Sequence, residues 1–245
     1  MALSAALSEK SRAILMRTST ATLTTIMFKR GFRNVFLQGL KPLNPQACRF
    51  VGPAFTLRYI PAREDLDPIT AFEDQRHPQR VAIEECPAGH VLVMDSRGDA
   101  TAASSGNLLI TRLWKRGGAA VVTDGGFRDS PEIAEMDFPA WHTRPSAPTN
   151  LIRHHAVDLQ LPIACAGVSV YPGDIMVADE EGIVCIPQHL AEEVALESVG
   201  QTMYEDWVNL KILEGARLPG LYPLLDPALQ AEYAEWKSRE SHLYA

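Results

Sequence analysis

The chain has 245 residues, enough to bury about 70% of its unfolded surface, so it needs neither a disulfide framework nor a structural metal to fold. Hydrophobic residues at 46% and charged residues at 22% exclude a disordered chain. A net charge of −7 argues against a nucleic-acid or anionic-membrane surface; it leaves open a small anion held by local cations, or a basic protein partner.

At the N-terminus, residues 2–7 form an apolar patch too short for a signal peptide, and no later apolar run approaches the ~18 residues of a membrane span. Cys48, Cys86, Cys165 and Cys185 are widely spaced and form no CxxC pair, so zinc-site spacing is absent. The expected setting is soluble, reducing and cytoplasmic.

A helix is predicted over 4–16. The polar run Thr18-Ser19-Thr20 caps a second helix over 21–30, with Gly31 as its stop. Strand-like stretches follow at 35–37, 51–60, 91–94, 119–122, 163–170, 175–178 and 183–186. Residues 63–80 are charged, carry Pro68 and Pro78 and lack a period, which predicts an exposed excursion; 58–67 is either a lid or a solvated loop. Residues 187–214 form a long helical pattern with a stripe of Leu196, Val199, Met203, Trp207, Leu210 and Leu213. The Pro-rich tail after Gly215 is expected to pack against something, a neighbouring subunit included.

The informative stretch is 91–136. It reads as strand, loop (96–106), helix (107–116), a Gly117-Gly118 stop, strand (119–123) and the turn Asp124-Gly125-Gly126. Arg128-Asp129 follows, then Ser130-Pro131 as the cap and first turn of another helix. A right-handed crossover makes the two strands parallel, so their carboxyl ends and the loops after them face one crevice. The first-turn amides of Leu108 and Leu109 suit a carboxylate, Arg128 offers a planar fork, and Asp129 is a hard ligand for a divalent cation. Each residue also has an ordinary reading: Asn107 as an N-cap, Asp124 in a common turn, Arg128 and Asp129 as a solvated pair.

Other candidates carry less. His154 and His155 are adjacent on extended chain and point apart. Residues 172–174 and 179–182 read as turns of a β-meander. Neither the GxSxG elbow nor the GxGxxG fingerprint is present. A Schiff-base mechanism needs a desolvated lysine, whereas Lys115 at a helix C-terminus is expected to be exposed.

Gly106-Asn107-Leu108-Leu109, followed by the run from Arg116-Gly117-Gly118 through Thr123-Asp124-Gly125-Gly126-Phe127-Arg128-Asp129, resembles the core of the RraA-like proteins. These include the class II 4-hydroxy-4-methyl-2-oxoglutarate aldolases and the regulator of ribonuclease activity A. Gly52-Pro53-Ala54-Phe55-Thr56, Phe138-Pro139, Gly167-Val168, Pro172-Gly173-Asp174-Ile175 and the run from Gly182 to Pro187 continue the match in order. The resemblance spans about residues 20–215 of a single domain, leaving a C-terminal arm at about 216–245.

It implies a swivelling-type β/β/α sandwich with helical N- and C-terminal extensions, assembled as a homotrimer or homohexamer with sites near subunit interfaces. It implies a Mg²⁺- or Mn²⁺-dependent lyase that releases pyruvate from 4-hydroxy-2-oxo acids, with oxaloacetate decarboxylation by the same enolate logic. By the same resemblance Asp129 holds the metal and Arg128 contacts substrate. Gly106, Asn107, Leu108 and Leu109 line the pyruvyl side, and Glu205 of a neighbouring subunit's helix holds metal waters, with Asp206 as its competitor. One departure stands out: Asn107 occupies the place of an aspartate, and an amide takes up no proton at neutral pH. The base then falls to Asp95, Asp99, His90 or a metal-bound hydroxide. The alternatives are a non-catalytic regulator that binds ribonuclease E, and a lyase or hydratase on another sugar-derived 2-oxo acid.

Overall fold

A computed structural model describes residues 7–244. Two helices open it, α1 (Glu9–Arg17) and α2 (Thr20–Lys29). Ser8 caps α1 by accepting from the Ser11 amide, and Ser19 caps α2 by accepting from the Thr22 amide. The predicted start at residue 4 and the 2–7 patch, apart from Leu7, lie outside the described residues. After β1 (Lys41–Pro42) comes β2 (Phe50–Pro61), a 12-residue strand. The excursion then holds a 3₁₀ turn (Ile69–Glu73) and runs into α3 (Pro78–Glu85), so its C-terminal end is ordered helix instead of loop.

The central unit follows: β3 (Val91–Asp95), β4 (Ala103–Ser105), α4 (Asn107–Lys115), β5 (Ala120–Thr123), β6 (Gly126–Phe127), α5 (Ser130–Ala134), β7 (Ala140–His142) and β8 (Arg144–Pro145). Next are β9 (His154–Leu159), β10 (Ile163–Cys165), β11 (Val168–Val170), β12 (Ile175–Ala178) and β13 (Ile183–Ile186). Two helices, α6 (Ala191–Leu213) and α7 (Pro227–Glu240), complete the described chain. None of the described helices is long and apolar enough to cross a membrane.

The main sheet runs β1-β7-β5-β3-β2-β12-β13. β3 lies parallel to β2 (Ala54↔Val91) and to β5 (Met94↔Thr123), as the crossover rule requires. The other edge of β2 pairs with β12 over its first residues and with β9 over its last. A smaller parallel sheet, β4-β6-β8, and the β10–β11 hairpin complete the layers.

Alternation along the strands divides the core. Leu92, Met94 and Val121 pack against Ile83 of α3 and Ile110 and Leu113 of α4. Val91, Val93, Ala120 and Val122 face Ile163, Cys165, Val168 and Val170 of the hairpin. Both faces of β3 and β5 are therefore buried, which is why they read as unbroken apolar runs. The result is the expected swivelling-type β/β/α sandwich, with helices at both ends.

The stripe predicted for α6 is corrected. Leu196, Leu210 and Leu213 are 57%, 46% and 76% exposed. The buried face is Val194, Ala195, Ser198, Met203, Trp207 and Val208. Small residues win in the first half because α1 and α2 pack closely there, with the Thr18 and Ser198 hydroxyls 2.9 Å apart. In the second half Trp207 and Val208 meet the arm, where Leu221, Tyr233 and Trp236 close a separate apolar cluster. The Pro-rich tail thus leads into α7, capped by Asp226 and folded back on its own chain's α6.

Candidate active site

The loops after β3 and β5 meet as the parallel arrangement requires. The hydroxyls of Ser96, Ser104 and Thr123 lie 2.7–3.2 Å from one another and fasten the two loops together beneath the surface. Gly125 must be glycine there, since a Cβ would sit 2.5 Å from Ser104 Oγ. Asp124 is a buried brace: the amides of Ser96, Gly98 and Ala166 donate to it, and burial holds its carboxyl above the usual range. Its ordinary reading as a turn residue is the one observed.

Above this brace, β4 and β6 run side by side and the Arg128 amide donates to Ser105 O at 3.1 Å. Gly106 is consequently pressed against Arg128. Asp129 occupies the left-handed region (φ 54°, ψ 36°), a conformation Asp and Asn adopt more readily than most residues. Its carboxylate accepts from the Asn107 amide at 3.2 Å and lies 3.6 Å from Arg128 Nε. The first helical bond of α4 joins Ile110 N–H to Gly106 O, leaving the Leu108 and Leu109 amides without intrahelical partners.

A crevice of about 280 Å³ opens at this point. Gly106, Leu108, Leu109, Arg128 and Asp129 line one side, so five of the seven sequence-predicted site residues come together. The other two do not line it. Asn107 occupies the first helical position, not the N-cap, which is Gly106; its amide oxygen accepts from the Thr111 hydroxyl at 2.9 Å. Glu205 lies on α6 and accepts from Thr22 Oγ1 and Gln201 Nε2, both at 2.7 Å.

The substitute bases do not line it either. Asp95 accepts from the Arg97 and Ala164 amides, Asp99 from Thr101, and His90 precedes β3 at the end opposite the crevice. Lys115 is exposed and lies over the Trp114 ring at 3.7 Å. His154 is buried, while His155 turns to Asp67 at 2.7 Å, as their alternation predicts.

The sequence reading missed the opposite wall: Phe72, Gln79 and Arg80 from the excursion, with Thr149 and Asn150 from a 3₁₀ turn. Gln79 is fixed there by donating to Ser104 O at 2.6 Å, beside Tyr59, whose hydroxyl donates to the same carbonyl. The only local signal was the charge of the excursion itself.

Among the described residues no group of three His, Cys, Asp or Glu could cage a metal. Asp129 nevertheless suits a hydrated hard cation, which takes one or two carboxylates and keeps its waters: its side chain is 40% exposed and offers hard carboxylate oxygens. A zinc-type cage does not fit.

The crevice at the end of this βαβ unit thus brings a helix N-terminus, a guanidinium and one carboxylate together in an α/β protein. The model of the RraA-like family, described as Aldolase/RraA, matches residues 20–185, and the chain belongs to that family. It is 31% identical over 141 residues to a 4-hydroxy-4-methyl-2-oxoglutarate aldolase of Thermus thermophilus, covering 58% of this chain and 77% of that one. It is 29% identical over 182 residues to protein DlpA of Legionella pneumophila, covering 74% of this chain but only 28% of DlpA. The solved structure of Streptomyces coelicolor RraAS2, described as an unusual member of the RNase ES inhibitor RraA family, superposes with a TM-score of 0.73. That match has 29% identity and covers 84% of this chain and 98% of RraAS2.

Proposed function

We propose that the chain is a divalent-metal-dependent carbon–carbon lyase acting on short 4-hydroxy-2-oxo acids, 4-hydroxy-4-methyl-2-oxoglutarate among them. The observation that carries this reading is the one crevice in which Arg128, Asp129 and the free first-turn amides of α4 face the same space. The likeness to the Thermus thermophilus aldolase supports it.

In this reading the Leu108 and Leu109 amides and the Arg128 guanidinium hold the 2-oxo carboxylate and orient the C3–C4 bond. A divalent cation held by Asp129, Mg²⁺ or Mn²⁺, supplies Lewis-acid polarisation of the keto oxygen when bound. As the C3–C4 bond breaks, its electron pair enters the C2–C3 enolate, and Arg128 stabilises that charge from a fixed position. The 4-hydroxyl proton leaves to a water hydrogen-bonded at Asp129, the one carboxylate among the described residues lining the crevice. Return of a proton from the same water to C3 gives pyruvate, and C4 becomes the carbonyl carbon of the second product. Oxaloacetate decarboxylation follows the same electron flow.

The test is pyruvate release with Mg²⁺ or EDTA, in the native chain and in Asp129→Asn, which tolerates the left-handed backbone while losing the charge. Release in Mg²⁺, abolished by EDTA and reduced about 100-fold or more in the variant, is the expected result. No pyruvate from 4-hydroxy-4-methyl-2-oxoglutarate or from oxaloacetate refutes the assignment, and unchanged metal-dependent activity in Asp129→Asn refutes the metal role.

One observation favours a second reading, a non-catalytic regulator that binds a ribonuclease: an amide stands at position 107 and is tied to Thr111. The likeness to RraAS2 points the same way. Retention of ribonuclease E in a pull-down at physiological salt supports it, and no retention rejects it.

A further inference from the structure

The excursion between β2 and α3 borders the crevice with almost no core of its own. Of the described residues 63–76 only Asp67 is buried, and the aliphatic side chains turn outward, Leu66 49% and Ile69 70% exposed. Both ends are fixed: the Ala62 amide donates to Arg153 O at 3.0 Å, and Gln79 donates to Ser104 O at 2.6 Å. Between them, one side-chain tie among the described residues reaches the rest of the chain. Asp67, its side chain 2% exposed, pairs with His155 Nδ1 of β9 at 2.7 Å and also accepts from the Arg63 amide. A freely solvated loop would not bury that carboxylate. The segment also supplies Phe72 to the crevice, its ring 5.3 Å from that of His77 and 4.5 Å from the Arg80 guanidinium. In this arrangement His77 is buried and its Nδ1 has no partner, a cost that lifting the segment into water removes.

We propose that residues 63–77 are a lid, latched shut by the Asp67–His155 pair, that lifts between its fixed ends to admit a ligand and closes to bring Phe72 onto it. Asp67 and His155 are positioning residues: neither lines the crevice, and they act on the ligand through Phe72. One polar tie favours closure and the sealed His77 nitrogen opposes it, in a segment with few buried apolar contacts, so opening needs no unfolding of the sheet. Closure shuts water out of the space beside Arg128 and Asp129. The ligand's identity rests on the lyase reading; the latch does not.

Hydrogen exchange of the full chain, read by mass spectrometry, tests it. Within the segment the amides of Leu66, Asp67, Ala71 and His77 are hydrogen-bonded and report its opening. Asp67→Ala and His155→Ala should each speed exchange over 63–77 by about tenfold or more, while β3 and α4 keep their native rates. Saturating pyruvate with Mg²⁺ should slow exchange over 63–77 in the native chain, and much less in Asp67→Ala. A merely structural role would speed β3 and α4 along with 63–77 and leave the response to pyruvate unchanged. Unaltered rates over 63–77 in both variants, or acceleration shared by all three segments, overturn the latch. Protection by pyruvate at Leu108 and Leu109 with no change over 63–77 overturns the lid. Protection at neither place, with 63–77 still released in both variants, rejects the 2-oxo acid as the ligand and leaves the latch standing.

Discussion

Replacing Gly106 with alanine places a methyl carbon 2.6 Å from Arg128 Cγ and 2.8 Å from Asp129 Oδ2. Gly106 has extended backbone (φ −140°, ψ 179°) that alanine adopts freely, so the whole effect is steric. The Arg128 and Asp129 side chains are 46% and 40% exposed, so they swing outward instead of remaining compressed. The stability cost should therefore sit near the low end of the ~1–3 kcal/mol typical of overpacking, a few degrees of melting temperature at this chain length. Function pays more heavily. Arg128 must retreat by about 0.8 Å to reach ordinary contact at 3.4 Å, and Asp129 must give up its bond from the Asn107 amide. Misplacement of binding and metal-holding groups by ~1 Å costs about 100-fold. A coupled lactate dehydrogenase assay for pyruvate should thus show kcat/KM down by about two orders of magnitude in a chain that melts within a few degrees of native. Full activity in Gly106→Ala refutes the claim that this close approach sets the site.

Two further outcomes follow from burial. Asp179, 3% exposed, accepts from the Thr20 amide and hydroxyl at 2.7 and 2.8 Å and so anchors the start of α2. Asp179→Ala should cost about 3 kcal/mol and roughly 10 °C in a thermal melt, whereas an unchanged melting temperature rules the anchor out. Burial pushes the His142 imidazole down to about 4, below its ordinary 6.5, so the unfolded chain takes up the proton first as pH falls. Stability from this group is complete above about pH 6.5 and declines toward pH 4 by up to about 1.4 kcal/mol per unit. His142→Asn keeps an acceptor for the Phe127 amide without the titration. Urea midpoints for native and variant should converge or cross as pH falls from 7 to 4.5; parallel curves contradict the assignment.

What patterning reveals and what it hides have a common physical origin. The β3–α4–β5 unit is legible because its strands are buried on both faces and its helix ends at a Gly117 with φ +88°, a local requirement written in local residues. The near side of the crevice is legible for the same reason, since Gly106 to Leu109 and Arg128-Asp129 follow those strands directly. β4, β6 and β8 are two or three residues long, too short to show a period, and exist only by pairing across the chain. The far wall is similarly non-local: Arg80 and Asn150 are 70 residues apart in sequence, and neither carries a signal of meeting the other. In α6 the error was to follow the large residues, whereas close packing against α1 and α2 selects Ala195 and Ser198. The signals for α7, an Asp226 cap and Pro227 in the first turn, were present but masked by the Pro-rich run before them.

The net charge of −7 and the proposed binding of an anion in the crevice are compatible because the two act over different distances. At physiological ionic strength exposed charges are screened beyond about 8 Å. Several of the acids behind that total are spent locally, with Glu180 on Arg49 and Glu193 and Glu197 on Arg30. Inside the crevice the balance is reversed: Arg80, Arg128 and the first turn of α4 stand against Asp129 alone. Asp129 would in turn be compensated by the cation it is proposed to hold. On the proposed function, the chain's overall charge therefore governs how fast an anion approaches, whereas its binding is decided by two guanidiniums and the dipole end of a nine-residue helix.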